Sequence, residues 1–228
     1  MTNIAIIPAR GGSKRIERKN IIKFRGRPMI GWTIDAALNS GIFDSVLVST
    51  DDAEIAEISR REGADVPFLR QGHADDLSPV SEATLTALSA SEEHYKKKFH
   101  TVMQLMPNCP LRDSQDITSA WEHFRSGNHN FQISAFEFGW MNPWWAASIN
   151  EDGQPNWIFP NARLSRSQDL KPLYCPTGAI WIANTDALKA HETFYGPGNV
   201  FFPMPWDKAI DIDEWKDFNM AKALSKIR

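Results

Sequence analysis

Apolar positions along this chain follow two rhythms, short unbroken runs and stripes spaced three to four apart. Ile4-Ala5-Ile6-Ile7-Pro8 is an unbroken run, the pattern of a strand covered on both faces. Asp44 to Thr50 reads as a second buried strand, Val66 to Leu69 as a short third, and His100 to Met106 (HTVMQLM) as a fourth. Phe131 to Phe138, Gly178 to Ile182, Val200 to Met204 and Ala209 to Ile212 read as further strands. The stripes lie between them. Pro28 opens a helical pattern through about Leu38, with Ile30, Ile34, Ala37 and Leu38 on one face and Gly41 just past its end. Ala53 to Glu62, Ser81 to about His94, Ser114 to Phe124 and a closing Glu214 to Ile227 are the other helices, and Asp51-Asp52 stands where a cap for the first of these belongs. Strands and helices alternating at these lengths predict a doubly wound, mostly parallel α/β sheet. Ligands of such sheets sit beyond the carboxyl ends of the strands, so the loops after Ile7, Thr50 and Met106 are where chemistry is expected.

Residues 139–176 break the rhythm. Trp140, Trp144, Trp145 and Trp157 fall there among several prolines, with few apolar repeats. This stretch reads as an inserted flap or oligomer arm in an otherwise single domain spanning residues 1–228. The tryptophans have two readings, stacking on a sugar or nucleobase and packing a subunit interface. Aromatic enrichment at interface cores favours the second.

Composition narrows the class. Hydrophobic residues make up 42% and charged residues 23% of 228, enough apolar material for a sizeable core. The net charge of -3 argues against binding nucleic acid through bulk charge. No apolar run approaches the roughly 20 residues of a membrane span, and the opening MTNIAIIPARGG lacks the pattern of a signal peptide. Cys109 and Cys175 form no metal-spaced set and read as unpaired, and the six histidines show no metal-ligand spacing. The expected location is the cytoplasm.

The segment from Ala9 to Asn20 carries the most chemistry. Arg10, Lys14, Arg15, Arg18 and Lys19, with the adjacent Gly11 and Gly12, directly follow the first strand. Glycines let backbone N–H groups turn toward an anion, and cations neutralise a polyphosphate. The loop is neither a Walker A sequence nor GxGxxG, which leaves a dinucleotide fold with little support. The competing reading is a solvated charged loop, and the position at the first strand's end weighs against it.

The segment IPARGGSKRIERKNI resembles the opening motif of the acylneuraminate cytidylyltransferase family, the CMP-sialic acid synthetases with their pseudaminate and legionaminate relatives. The resemblance continues in order through VLVSTDDAEIA, VPFLR, PNCPLR, RSQDL, YCPTGAIWI and AIDIDEWKDFNMA, nearly the whole chain. It implies a Rossmann-like nucleotidyltransferase that uses CTP and a divalent cation, Mg²⁺, and works as a homodimer whose arm reaches the neighbour's site.

Carried over position by position, the resemblance implies that Arg10, Ser13, Lys14 and Asn20 contact the nucleotide, with Gly11 and Gly12 permitting close backbone approach. Arg10 and Lys19 would be the catalytic cations. Asp211 and Asp213 match the family's metal-holding pair, and alternate residues of an extended segment face one side, so both carboxylates can meet one cation. Capping the closing helix is the other reading of that pair. Arg70, Asp76 and Ser81 lie in the family's base and ribose region. Asp51 and Asp52 either face the site or simply cap the helix from Ala53.

The sugar side is mixed. PNCPLR resembles the family's PTSPLR, but Met106 stands before it where sialate enzymes have glutamine. Gln104, two residues earlier and on the same strand face by alternation, is the candidate sugar contact in its place. Arg166 is the candidate partner for the sugar carboxylate, because a guanidinium grips a carboxylate through two parallel bonds, and Gln168 is a further candidate sugar contact. RSQDL and GGSKRI lean toward pseudaminate enzymes, GAIWI and PLR toward sialate and legionaminate ones. The expected reaction joins CMP from CTP to a nonulosonic acid. A nucleotidyltransferase for an eight-carbon acid or a sugar 1-phosphate, and a non-catalytic nucleotide-binding protein, remain as alternatives. No side chain stands out as a general base.

Overall fold

The computed structural model describes residues 2–70 and 80–227. In chain order its elements are β1 (Asn3–Pro8), the two-residue strands β2 (Lys23–Phe24) and β3 (Arg27–Pro28), α1 (Met29–Ser40), β4 (Ser45–Ser49), α2 (Ala53–Arg61), α3 (Val80–Tyr95) and β5 (Thr101–Gln104). There follow α4 (Ser114–Ser126), β6 (Phe131–Glu137), β7 (Ala147–Ile149), β8 (Pro155–Trp157), β9 (Tyr174–Asn184), α5 (Thr185–His191), β10 (Val200–Pro203) and α6 (Trp215–Leu224).

Most of the unbroken apolar runs become strands of a six-stranded sheet ordered β10-β6-β9-β5-β1-β4. β1 pairs in parallel with β4 and β5, and β10 pairs in parallel with β6. Only β9 is reversed, antiparallel to both β5 and β6. Every residue of β1 is buried because both faces are covered. Ala5 and Ile7 face a layer built on Ile30 and Ile34 of α1, Ile55 of α2 and Ile117 of α4. Ile4 and Ile6 face the other layer, with Ala87 and Leu88 of α3 and Leu188 of α5. Each fully buried isoleucine contributes about 2 kcal/mol of apolar transfer.

Helix ends follow their sequence signals. Gly41 takes a left-handed conformation (φ 66°) and closes α1 by donating its N–H to Leu38 O. Asp52 caps α2 by accepting from Ile55 N, and Asp113 with Asp116 forms a capping box on α4.

Three segments depart from the pattern reading. The run from Val66 to Leu69 forms no strand; Asp65 alone bridges to Leu47, and Pro67 has no N–H to continue a ladder. Ala209 to Ile212 is irregular rather than a strand, tied to the core by Ile212 N donating to Asn108 O at 2.9 Å. Helix α5 lies where no helix is expected from periodicity, since it is only two turns long; its signal is Asn184, whose side chain accepts from the N–H groups of Asp186 and Ala187. The glycine-containing run around Gly178 is a strand as expected, but longer, from Tyr174 to Asn184. Both cysteines are free, with Cys109 buried.

A third, smaller apolar cluster positions the site. Ile16 of the basic loop packs there with Phe24, Leu111, Ile210, Ile212 and Phe218. One cluster therefore anchors the basic loop, the loop after β5 and the segment before α6. Ile210 and Ile212 point into it, which leaves Asp211 and Asp213 to face the other way. Residues 139–176 carry their own two-stranded sheet, β7 with β8, and expose Trp140, Met141, Ile149, Ile158 and Leu164.

Candidate active site

A cleft of about 300 Å³ opens at the carboxyl ends of β1 and β5. Arg10, Ser13, Lys14, Arg15, Lys19 and Asn20 of the basic loop line it together with Asn108, Asp211 and Asp213. Arg70, Val80 and Ala83 also line it, and Pro8, Ile16, Met106 and Pro107 complete the lining. The fold thus brings together Arg10, Ser13, Lys14, Lys19, Asn20, Arg70, Asp211 and Asp213 from the sequence reading.

Charges meet directly across the cleft. Lys19 Nζ lies 2.7 Å from Asp213 Oδ1, and Arg15 Nη2 lies 2.8 Å from Asp213 Oδ2. Burial works to raise the Asp213 pKa, but the hydrogen bond and charge of Lys19, with the charge of Arg15, outweigh it and hold the carboxyl below its ordinary value. Asp211 behaves oppositely. Surrounding protein, reinforced by the neighbouring Asp213 charge, pushes it up to about 6 against the pull of Lys19. Its side chain is open to the cleft, so water offsets part of that penalty. Arg70 sits almost wholly buried, and that burial lowers its pKa; Asp51, 3.9 Å away, opposes the shift and Arg10 adds to it. Asn20 is buried and donates to Arg10 O at 2.9 Å, fixing the backbone that carries Arg10.

Asn108 holds the acidic wall in shape. Its Nδ2 donates to Asp211 Oδ1, to Ile212 O at 3.1 Å and, at 3.5 Å, to Asp213 Oδ1. Both carboxylates therefore converge on one donor. Asn108 Oδ1 is buried without a protein partner. No group of three or more His, Cys, Asp or Glu side chains suited to a metal occurs among the described residues. Two converging carboxylates facing a basic wall suit Mg²⁺, which accepts a few carboxylate oxygens and completes its octahedron with phosphate and water. Gly178 supports this wall too, since a Cβ there would lie 2.8 Å from Met106 Cγ and 3.5 Å from Asp211 Oδ2.

Other residues singled out in the sequence lie outside the lining of this cleft. Gln104 does not reach the cleft. It is fully buried under α3, where Thr84 Oγ1 donates to its Oε1 at 2.6 Å. The chain leaves regular strand geometry after Gln104, so alternation no longer puts Met106 on the same face. Gly11 and Gly12 are not part of the lining. Gly11 donates its N–H to Asp51 Oδ1 at 3.0 Å, and a Cβ on it would lie 2.7 Å from Asp52 Oδ2, so its missing side chain makes room for protein. Gly12 has open space around it. Ser81 is buried on α3 between Val80 and Ala83, which line the cleft while Ser81 does not. Arg166 is exposed and grips Asp169 through two bonds of 2.8 and 3.2 Å, away from this cleft. Gln168 lines a separate cavity of about 380 Å³ at the base of residues 139–176, beside Glu137, Asn142 and Lys171. Asp76 lies outside the described residues.

Sequence reasoning passed over Asn108 and gave Arg15 no role of its own. The available signal for Asn108 was its place in the loop after the third parallel strand of the sheet, where ligands of such folds sit.

Residues 4–141 match the family described as Cytidylyltransferase. The chain belongs to the cytidylyltransferase family. As a cytidylyltransferase it is a nucleotidyltransferase enzyme, and its relatives span its full length. It is 36% identical over 228 residues to a pseudaminic acid cytidylyltransferase of Campylobacter jejuni, covering 100% of this chain and 97% of that one. It is 32% identical over 236 residues to a CMP-N,N'-diacetyllegionaminic acid synthase of Legionella pneumophila, covering 100% of this chain and 97% of that one. The solved structure of a CMP:2-keto-3-deoxy-manno-octonic acid synthetase complexed with CTP superposes with a TM-score of 0.71 at 15% identity, covering 100% of this chain and 99% of the other. That likeness establishes the shared fold, a mostly parallel sheet flanked by helices.

Proposed function

We propose that this cytidylyltransferase joins CMP from CTP to a nonulosonic acid, releasing pyrophosphate. One observation carries the reading: Arg10 and Lys19 face Asp211 and Asp213 across a single cleft at the carboxyl ends of the parallel strands. The sugar's anomeric hydroxyl oxygen forms a bond to the α-phosphorus of CTP as the bond from that phosphorus to the bridging oxygen breaks. The hydroxyl proton passes to solvent. Arg10 and Lys19 offset the negative charge that builds on the phosphate oxygens, and Ser13, Lys14 and Asn20 hold the rest of the nucleotide. Asp211 and Asp213 would hold Mg²⁺, which supplies Lewis-acid charge stabilisation and orientation when bound. Asn108 keeps the two carboxylates converged, and Lys19 is released from Asp213 to meet phosphate.

The sugar is pseudaminic, legionaminic or N-acetylneuraminic acid. The 36% identity to the pseudaminic relative, together with GGSKRI and RSQDL, makes pseudaminic acid the first to test. Arg166 lies outside the cleft of its own chain. Its proposed grip on the sugar carboxylate therefore goes with a homodimer in which residues 139–176 reach the neighbour's cleft, and the exposed Trp140, Ile149 and Leu164 supply apolar surface for that contact. Among the described residues no helix is long and apolar enough to cross a membrane, and a cytoplasmic location fits a CTP-consuming enzyme.

The test is pyrophosphate release from CTP with Mg²⁺ and each of the three sugars, with mass spectrometry of the product. A CMP-sugar from at least one of them is expected. No release with any of them refutes the reading.

A further inference from the structure

The basic loop is held on one side by Ile16 in its apolar cluster and by Asp213, which meets Arg15 and Lys19, and a second structural element holds it from another side. The next strand-to-helix turn supplies two consecutive carboxylates, one at each end of the loop. At the loop's start, Asp51 Oδ1 accepts the Gly11 N–H at 3.0 Å. At its end, Arg18 donates through both Nη atoms to the two oxygens of Asp52, with Nη2 to Oδ1 at 3.1 Å, and Nη2 also meets Glu54. Asp52 packs against Gly11 as well, so closely that a Cβ there would clash with it. Arg18 is not part of the cleft lining, unlike Lys14, Arg15 and Lys19. It takes a left-handed conformation (φ 54°), and its carbonyl accepts from Ile21 N at 2.9 Å to start the turn that presents Lys19.

Asp52 is itself fixed to the core. It caps α2 by accepting from Ile55 N at 2.9 Å, its own N–H donates to Thr50 Oγ1 at 3.1 Å, and Ile55 is buried. Through Asp52 the loop is thus tied to the start of a helix as well as to the segment before α6. The Arg18 charge also cancels a carboxylate that would otherwise repel an anion near the cleft. Resting on the function proposed above, we propose that Asp52 and Arg18 form a latch that preorganises the basic loop for the triphosphate. Both are positioning residues that act through Lys19 and its neighbours, not groups that touch substrate. Without the latch CTP must order the loop itself, and binding weakens by the fraction of time the loop is misplaced.

The capping and latching roles of Asp52 are separable. Asparagine caps a helix as well as aspartate does but carries no charge for Arg18. The experiment compares wild type, Asp52→Asn, Arg18→Ala and the double variant, reading KM for CTP, kcat and thermal stability. The latch predicts that each single variant raises KM for CTP about tenfold while kcat falls less than about threefold, and that the double variant is no worse than either single one. Arg18→Lys, which keeps the charge but loses the two-bond geometry, should recover part of the loss. An unchanged KM in Asp52→Asn and Arg18→Ala overturns the latch, as does a double variant whose defects multiply. Should Asp52→Asn fail to fold, Arg18→Ala and Arg18→Lys carry the test by themselves. A wild-type enzyme that turns over no CTP refutes the proposed reaction instead, and an active wild type with unaffected variants refutes only the latch.

Discussion

Replacing Asp211 by asparagine should stabilise the metal-free protein while abolishing its activity. The Asp211 pKa is raised from 3.8 to about 6, chiefly because surrounding protein penalises its charge and secondarily because Asp213 stands beside it. A carboxyl whose folded-state pKa lies above its unfolded value contributes stability that is complete below the unfolded pKa and lost as pH rises through the folded one. The wild-type protein therefore loses this contribution across pH 4 to 6, while the asparagine variant has nothing to titrate. Water in the cleft screens the open side chain, which discounts the effect to about 1 kcal/mol at neutral pH. In a chain of this size that is about 2 to 4 °C in melting temperature. Asn108 Nδ2 keeps an acceptor on the new side chain, so no donor is orphaned. Differential scanning fluorimetry without divalent metal, at about pH 4.5 and about pH 7.5, reads the effect at both ends of the window. Asp211→Asn should gain at the higher pH and show little difference at the lower. A loss at the higher pH, or a gain of equal size at both, would refute the electrostatic account of this carboxylate.

Further outcomes follow from the same geometry. Asp213→Asn should destabilise the metal-free protein at neutral pH, because Lys19 and Arg15 hold the native carboxyl below its ordinary pKa and that stabilisation disappears as pH falls; the same melting assay checks it. Lys19→Ala should lower kcat by about two to three orders of magnitude, as loss of a charge-stabilising donor does, measured by pyrophosphate release at saturating CTP. Asn108→Ala should leave the fold intact and raise the Mg²⁺ concentration needed for half-maximal activity by about tenfold, and Mg²⁺ titration by calorimetry in the presence of CTP gives an activity-free check. Trp140→Ser combined with Leu164→Ser, both highly exposed in the single chain, should shift the proposed homodimer toward monomer in sedimentation experiments; an unshifted dimer would place the interface elsewhere, and a wild type that sediments as a monomer would refute the dimer.

Strands buried on both faces were legible because burial leaves a plain mark in the residues. Ile4 to Pro8 and Ser45 to Ser49 cannot be read as anything exposed, and both lie at the middle or edge of the sheet with every side chain buried. Pairing partners left a weaker mark. Val66 looked like a strand start by composition, yet Pro67 stops the ladder at one bridge. The segment from Ala209 to Ile212 shows the converse. It is no strand, but the two-residue alternation held, because Ile210 and Ile212 fill the apolar cluster under the loop and turn Asp211 and Asp213 outward. Alternation failed at Gln104, where the regular strand ends before Met106. Charge type identified the cleft, but it did not say which cation faces which anion. Arg15 and Lys19 meet Asp213, whereas Arg18 turns away to Asp52, and that division depends on backbone conformation that composition does not encode.

The decisive experiment is a structure of the protein with CTP and with Mn²⁺ in place of Mg²⁺, the ion located by its anomalous signal. A metal coordinated by carboxylate oxygens of both Asp211 and Asp213 is expected, with the triphosphate between it and the Arg10 and Lys19 side chains. A triphosphate bound elsewhere, or a metal that leaves both aspartates uncoordinated, would contradict it.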